Sequence, residues 1–353
     1  MRTNFFLRGI VCVFLLGSLA ASGQQPDIVH AKLDQASASA GLSAAIANVT
    51  RRDAAPAWIG YAVPAVADGD ENGHADHGWS SCRADLEEGS SNTNGAGTAK
   101  EISNRQILIF LRAHQQQIEK VRMFEASCRV DADGLPVHWL TEVRPSDSVE
   151  LLRIYVQGDD WTEKGHAKGA ALAAIASTND PSADAAMQQF TSAISPDGLR
   201  KEAVFWLGAV RGRQGYEMLR TIVKIDPSDE VRDRAVFALS ISPVHDAVDT
   251  LIDVARHDAS SHLRGQALFW LAHKAGAKAA GAISSATEND PDTLVKKRAV
   301  FALMQLPPDQ GIPLLIKVAQ SNPNLEVRKQ AFFWLGQSHD ARALDFISRI
   351  LMN

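Results

Sequence analysis

Cysteine is scarce in this sequence, with Cys12, Cys82 and Cys128 the whole complement. No Cys-x-x-Cys pair occurs, so a dithiol redox motif is excluded. No basic arm or cluster is present either. The formal charge is −5 over 353 residues, and an acidic chain repels phosphate backbones, so nucleic acid is not an expected partner. Long hydrophobic runs are missing beyond the N-terminus. There Arg2 and Arg8 precede an apolar stretch from Gly9 to Ala21, and Ala21-Ser22-Gly23 follows with small side chains. That order is a secretory signal over residues 1–23. About a dozen apolar residues fall short of the ~20 needed to cross a bilayer. The expectation is an exported, periplasmic or secreted protein with no membrane span in its mature form.

Catalytic signatures are also lacking. There is no Gly-x-Ser-x-Gly, no phosphate-cradling glycine loop and no His-Glu-x-x-His. A non-catalytic protein without a cofactor is therefore expected. Once the signal is removed, Cys82 and Cys128 remain. In an oxidising compartment they are expected to form one disulfide closing a loop of 46 residues, the alternative being two unpaired thiols.

What the sequence does have is a repeat. Leu199-Arg-Lys-Glu-Ala-Val-Phe-Trp-Leu recurs, with variation, from Val231, Leu263, Val295 and Val327, each 32 residues after the last. A weaker copy begins at Ala167. Positions 1, 5 and 9 of the motif share one helical face. A second apolar column, Met187, Leu219, Leu251, Ile283, Leu315 and Ile347, keeps the same period. Asp226-Pro227, Asp290-Pro291 and Asn322-Pro323 break the chain between helices. Helices of about 10–13 residues are marginal alone in water, so they must stack on one another.

These residues resemble the HEAT-repeat family: the Asp-Pro turn, the Val/Leu-Arg after it, the alanine four residues later and the closing leucine. The resemblance covers about residues 161–353. It implies a mostly α fold, an α-solenoid of about six helical hairpins, with the Val/Leu-Arg helices on the concave side. Some HEAT-like proteins are metal-dependent hydroxylases that use His-Glu pairs, and others are lyases. This sequence contains no His-Glu pair. His245-Asp246, His257-Asp258 and His339-Asp340 fall at different motif phases. An enzyme of either sort is the alternative by class, and a passive spacer is the alternative structural reading.

Three columns of the motif carry the functional expectations. Position 2 is basic (Lys168, Arg200, Arg232, Arg264, Lys296, Arg328). Beside an apolar face an unpaired charge is costly, so these cations are expected to form a structural ladder with groups such as Asp226 and Asp290. The rival is an anion-binding stripe. Position 7 is phenylalanine in five copies: Phe205, Phe237, Phe269, Phe301 and Phe333. Two roles fit this column. It lines an apolar groove for a partner protein or peptide, with Lys201, Arg234, Arg298 and Lys329 tuning selection, or it fills the seams between repeats. Position 8 alternates Trp206, Ala238, Trp270, Ala302, Trp334, which makes the true period 64. Large against small predicts that each indole occupies space left by a neighbouring alanine in the core. Self-association through the last repeat stays open, because Ile347, Ile350 and Leu351 lack an obvious cover.

The region before the repeats reads as a helical segment over 24–63, an acidic Gly/Ser-rich loop over 64–104 and a small module with a β-hairpin over 105–160. Asp27 is the expected cap of a helix running through residues 27–50. Strands are expected at 107–111, 118–124 and 137–140, and a helix at 146–156. Within the loop, Asp68, Asp70 and Asn72 with Gly73 fit the first half of a calcium loop, though Trp79 stands where a bidentate glutamate would. His74, Asp76 and His77 are the zinc alternative. This module is expected to cover the apolar edge of the first repeat.

Overall fold

The computed structural model describes residues 26–52, 55–67, 81–89, 91–94, 105–157 and 166–352. The expected export signal and the Asp68/Asp70/Asn72 and His74/Asp76/His77 metal sites lie outside these residues.

The N-terminal module is built on two sheets. β6 (Gln106–His114) carries the apolar run Ile107 to Leu111, buried on both faces as a central strand must be. It turns through Gln115 and Gln116, both at positive φ, into β7 (Gln117–Glu125). Positive φ at both central residues gives a tight hairpin that matches strand twist. β3 (Ala57–Pro64) lies antiparallel to β6 and parallel to β9 (Val137–Thr141). β2 (Leu33–Ser37) adds at the edge, giving the order β2-β9-β3-β6-β7. A smaller sheet is formed by β1 (Ile28–Val29), β4 (Ser81–Asp85), β5 (Ser91–Asn94) and β8 (Arg129–Asp131), in the order β1-β8-β4-β5.

Side chains alternate across the larger sheet. Trp58, Leu108 and Phe110 face the small sheet, where they pack with Cys82, Leu86 and Val130. Ile59, Tyr61, Val63, Ile109 and Leu111 face α1 (Leu42–Arg52) and α2 (Pro145–Val156). Cys82 and Cys128 meet in disulfide geometry, with their Cα atoms 4.4 Å apart, and tie β4 to the turn before β8.

The structure differs here from the sequence reading. The helix expected over 27–50 begins only at Leu42, because the chain before it pairs as β1 and β2 with β8 and β9. Asp27 is not a helix cap; its carbonyl accepts from the Val130 amide at 2.8 Å. The stretch read as a loop over 64–104 contains β4 and β5, and the stretch read as helical over 24–63 contains β3 at the centre of the sheet.

Six helical hairpins follow: α3 (His166–Ser177) with α4 (Pro181–Phe190), α5 (Asp197–Val210) with α6 (Gly212–Ile225), α7 (Asp229–Ile241) with α8 (Asp246–His257), α9 (Ser261–Ala275) with α10 (Ala277–Asn289), α11 (Thr293–Gln305) with α12 (Pro308–Ser321), and α13 (Leu325–Gln337) with α14 (Ala341–Leu351). Asp180, Ser260, Asp292, Asn324 and Asp340 accept from first-turn amides and start their helices. The first helices of successive hairpins pack more closely on one another than the second helices do, so the stack bends with the first helices inside. α3 lies on β7 and α2, and backbone bonds from Val66 to Ser177 (2.9 Å) and from Asn179 to Pro64 (2.8 Å) close the junction. The sheet thereby covers the first hairpin. One apolar core runs from Ala38 to Phe346.

Candidate functional site

Buried cations hold the inner helices in register. Arg200 reaches Asp226 at 3.2 Å, Arg232 reaches Asp258 at 3.2 Å, and Arg264 grips both oxygens of Asp290 at 2.7 and 3.0 Å. Each rung joins one first helix to the turn 26 residues on. The same arginines also saturate turn carbonyls: Arg200 donates to Ala193 and Ser195, and Arg264 to Asp258 and Ala259. Asp290 pushes the Arg264 guanidinium further above its ordinary range through these bonds. The fourth rung changes chemistry at both ends. Lys296 donates to the Glu288 carbonyl, and Asn322 donates to the Thr287 carbonyl. Arg328 bonds the Asn322 carbonyl at 2.7 Å. These cations are committed to carbonyls and carboxylates within the fold.

The aromatic column lies on the inner helices. Phe205 stacks on Phe237 at 6.2 Å and 9°, and Phe269 on Phe301 at 6.1 Å and 4°. A tryptophan of the following helix caps each pair: Trp270 meets Phe237 at 4.8 Å, and Trp334 meets Phe301 at 4.9 Å. Trp206, Trp270 and Trp334 also sit edge-on to Phe205, Phe269 and Phe333. The result is a ribbon across α5, α7, α9, α11 and α13. Its phenylalanines are half-buried, and Phe333 at its end is 54% exposed. The rings rest on the core and show one side.

The tryptophans are placed differently from the sequence reading. They are half-buried members of the ribbon rather than wholly core residues, and they lean on phenylalanines. Ala238 and Ala302 lie fully buried beneath. The reason is the approach of the helices. α5 and α7 come closer than α7 and α9, and α9 and α11 closer than α11 and α13, because a tryptophan wedges each wider gap.

A groove of about 660 Å³ opens over α5, α7 and α9. Phe237 and Trp270 line it, with Arg234 and Gln266 between the helices. The Arg234 guanidinium stands 5.1 Å from the Phe205 ring centre and 5.5 Å from that of Phe237, a cation–π arrangement on both. Its other neighbour is Glu202 at 3.7 Å. Around the rim, Lys201 bonds Glu230 at 2.6 Å, and His262 bonds Asp233 at 3.1 Å. Asp229 also lines the groove and is held by Arg232 at 2.6 Å. Of the expected selectors, Lys201 and Arg234 thus stand in this groove. Arg298 lies two hairpins on, where it donates to the His262 carbonyl at 3.2 Å. Lys329 pairs with Glu326 at 3.0 Å on α13.

The sequence reading missed Glu202, Asp229, Glu230, Asp233, His262 and Gln266. No periodic signal marked them: the repeat positions of Glu202, Asp229, Glu230 and Asp233 vary in side chain from copy to copy. The His-Asp pairs occupy turns and helix ends. His257 bonds Asp253 at 3.0 Å, and His339 takes a positive φ just before α14. Among the described residues no group of three or more His, Cys, Asp or Glu side chains converges as a metal site requires. Among them, too, no helix is long and apolar enough to cross a membrane.

A curved stack of short antiparallel helix pairs, held by interlocking apolar faces and a buried cation ladder, defines an α-solenoid repeat protein. The family model for HEAT repeats matches residues 187–272 and 281–353. Those two stretches are HEAT repeats. Solved structures with a similar stack include a complex of Kap95p with RanGDP, at 16% identity over 59% of this chain and 32% of that one, with a TM-score of 0.39. The Cnd3–Cnd2 condensin subcomplex of S. pombe matches at 19% identity over 57% and 28%, with a TM-score of 0.36. Human deoxyhypusine hydroxylase matches at 14% identity over 56% and 81%, with a TM-score of 0.30. No curated protein matches the sequence.

Proposed function

We propose that this chain is an exported, non-catalytic binding module that holds a partner protein or peptide along the aromatic ribbon of its inner helices. The observation that carries this is the ribbon itself: five phenylalanines and three tryptophans aligned across five repeats, supported from below and open on one side. Rigid aromatic rings over a fixed core lose little freedom on binding and supply large contact areas, the usual make-up of an interface hot spot. The Cys82–Cys128 disulfide geometry supports export, since such pairs persist in oxidising compartments.

The test is capture from the exported fraction with wild-type protein and with a Phe237→Ala/Phe269→Ala variant. A binding module loses its partner in the variant; a passive spacer captures the same proteins either way.

Self-association is a second contact with a specific observation behind it. Ile312, Val318 and Ala319 on α12 are buried under the following hairpin. The equivalent positions of α14, Leu344, Ile350 and Leu351, are 52%, 51% and 80% exposed. Because β7 and α2 cover α3, copies cannot stack head to tail, and a twofold tail-to-tail contact is what the geometry leaves. Sedimentation of a Leu344→Asp/Leu351→Asp variant against wild type tests this, and equal masses contradict it.

A further inference from the structure

The ribbon is lined with charge of opposite sign at its two ends, and the 64-residue period shows where the sign changes. Over α5, α7 and α9 the groove sets Glu202, Asp229, Glu230 and Asp233 against Lys201 and Arg234. Four carboxylates thus line the groove to two lining cations, with Arg232 on Asp229 and His262 on Asp233 at its edge. Moving each position on by 64 residues gives Gln266, Thr293, Leu294 and Lys297 in place of the four acids, and Gly265 and Arg298 in place of the two cations. Lys329 and Glu326 complete that end. Cations are now in excess, with Lys297, Arg298 and Lys329 against Glu326.

The exchange is structural as well as compositional. Arg298 lies across α9 against Gly265, where a Cβ would stand 2.4 Å from the arginine Cδ. Gly265 occupies the position of Lys201, so removal of that side chain makes room for a guanidinium arriving from α11. Arg234, which arrives from α7 beside Lys201, takes a different path and rests on the Phe205 and Phe237 rings beside Glu202. The stacked pairs Phe205–Phe237 and Phe269–Phe301 lie beneath both ends.

We propose that the occupant of the ribbon is an extended, charge-polar peptide segment. Its cationic end sits in the groove over α5, α7 and α9, its aromatic or aliphatic middle on Trp270 and Phe269, and its anionic end over α11 and α13. This rests on the reading of the ribbon as a peptide-binding face. Helix axes about 10 Å apart put the two ends roughly 20 Å apart, a span of about six extended residues at ~3.3 Å each. Complementary charge at both ends fixes the direction and register of the segment, and the wrong order meets like charge twice.

The experiment uses the full chain and three fluorescein-labelled ten-residue peptides with a common leucine- and phenylalanine-rich middle. One carries two lysines at one end and two aspartates at the other. The second has the same composition with the charges alternating, and the third has serine in place of every charge. The polar peptide is expected to bind about tenfold more tightly than the other two at low salt, with the difference shrinking as salt screens it. Glu230→Lys/Asp233→Lys and Lys297→Glu/Lys329→Glu are each expected to remove that advantage, and these surface substitutions leave the core untouched. Equal binding of all three peptides overturns the charge-polar occupant while leaving the ribbon as a binding face. No binding of any peptide overturns both.

Discussion

Gly208 on α5 lies so close to α7 that a Cβ placed on it would stand 2.3 Å from the Ala238 carbonyl oxygen. Backbone cannot yield as a side-chain tip can, so Gly208→Ala forces the two helices apart. Overpacking of this kind costs about 1–3 kcal/mol. Chemical denaturation is expected to show a loss in that range. An unchanged midpoint would mean that α5 and α7 are not in close contact.

Ala238 itself is fully buried below the stacked Phe205 and Phe237 rings. Ala238→Trp is expected to lower stability by about 1–3 kcal/mol, since an indole overpacks a position that is already fully enclosed. The alternation of tryptophan and alanine would be without structural meaning if denaturation detected no change.

Arg264 and Asp290 form the best-closed rung of the cation ladder, both nearly out of solvent. Asp290→Ala leaves a buried guanidinium unpaired and is expected to cost about 3–5 kcal/mol. Replacing both partners, Arg264→Met with Asp290→Leu, is expected to recover most of that loss, because neither residue is then charged. Equal instability of the single and double variants would show that the rung does not act as a pair.

Cys82→Ser/Cys128→Ser opens a loop of 46 residues. The chain-entropy account assigns about 4 kcal/mol to a loop of that size. The N-terminal sheets are expected to melt at lower temperature while the solenoid helices keep their circular dichroism. Simultaneous loss of strand and helix signals would mean that the two parts unfold as one.

Glu87 gives the N-terminal module a pH dependence. Burial alone would raise its pKa, but the hydrogen bonds from Lys120 and Arg112, both at 2.6 Å, bring it below the usual carboxylate value. A carboxylate depressed on folding contributes stability that is present above its unfolded pKa and lost as pH falls through the folded value. Denaturation between neutral pH and about pH 3 is therefore expected to show an acid-side loss that Glu87→Gln flattens. Parallel profiles for the two proteins would remove Glu87 as its source.

The repeats were legible because identical residues at a 32-residue spacing carry the packing face, the turn and the ladder cation together. Arg200, Arg232 and Arg264 could be paired with carboxylates from sequence alone, because Asp226, Asp258 and Asp290 keep the same offset. The Lys296/Asn322 change is legible in the same way once the offset is known. The sheets were much less legible. β2 pairs in parallel with β9 about a hundred residues away, and the apolar spacing of Ile28, Leu33 and Leu42 drew it into the helix expected over 27–50. β3 reads as a short apolar run and acquires meaning only between β6 and β9. The groove was half legible. Its phenylalanines stood out as a column, whereas the acids that face it depend on how tightly α5, α7 and α9 are wound together.

The central claim is that the aromatic ribbon is a binding face and not seam filling. The most direct measurement pairs partner affinity with thermal unfolding for Phe269→Ala, once a partner has been captured. The account predicts a large loss of affinity with little change in melting temperature. A large fall in melting temperature with unchanged affinity would contradict it.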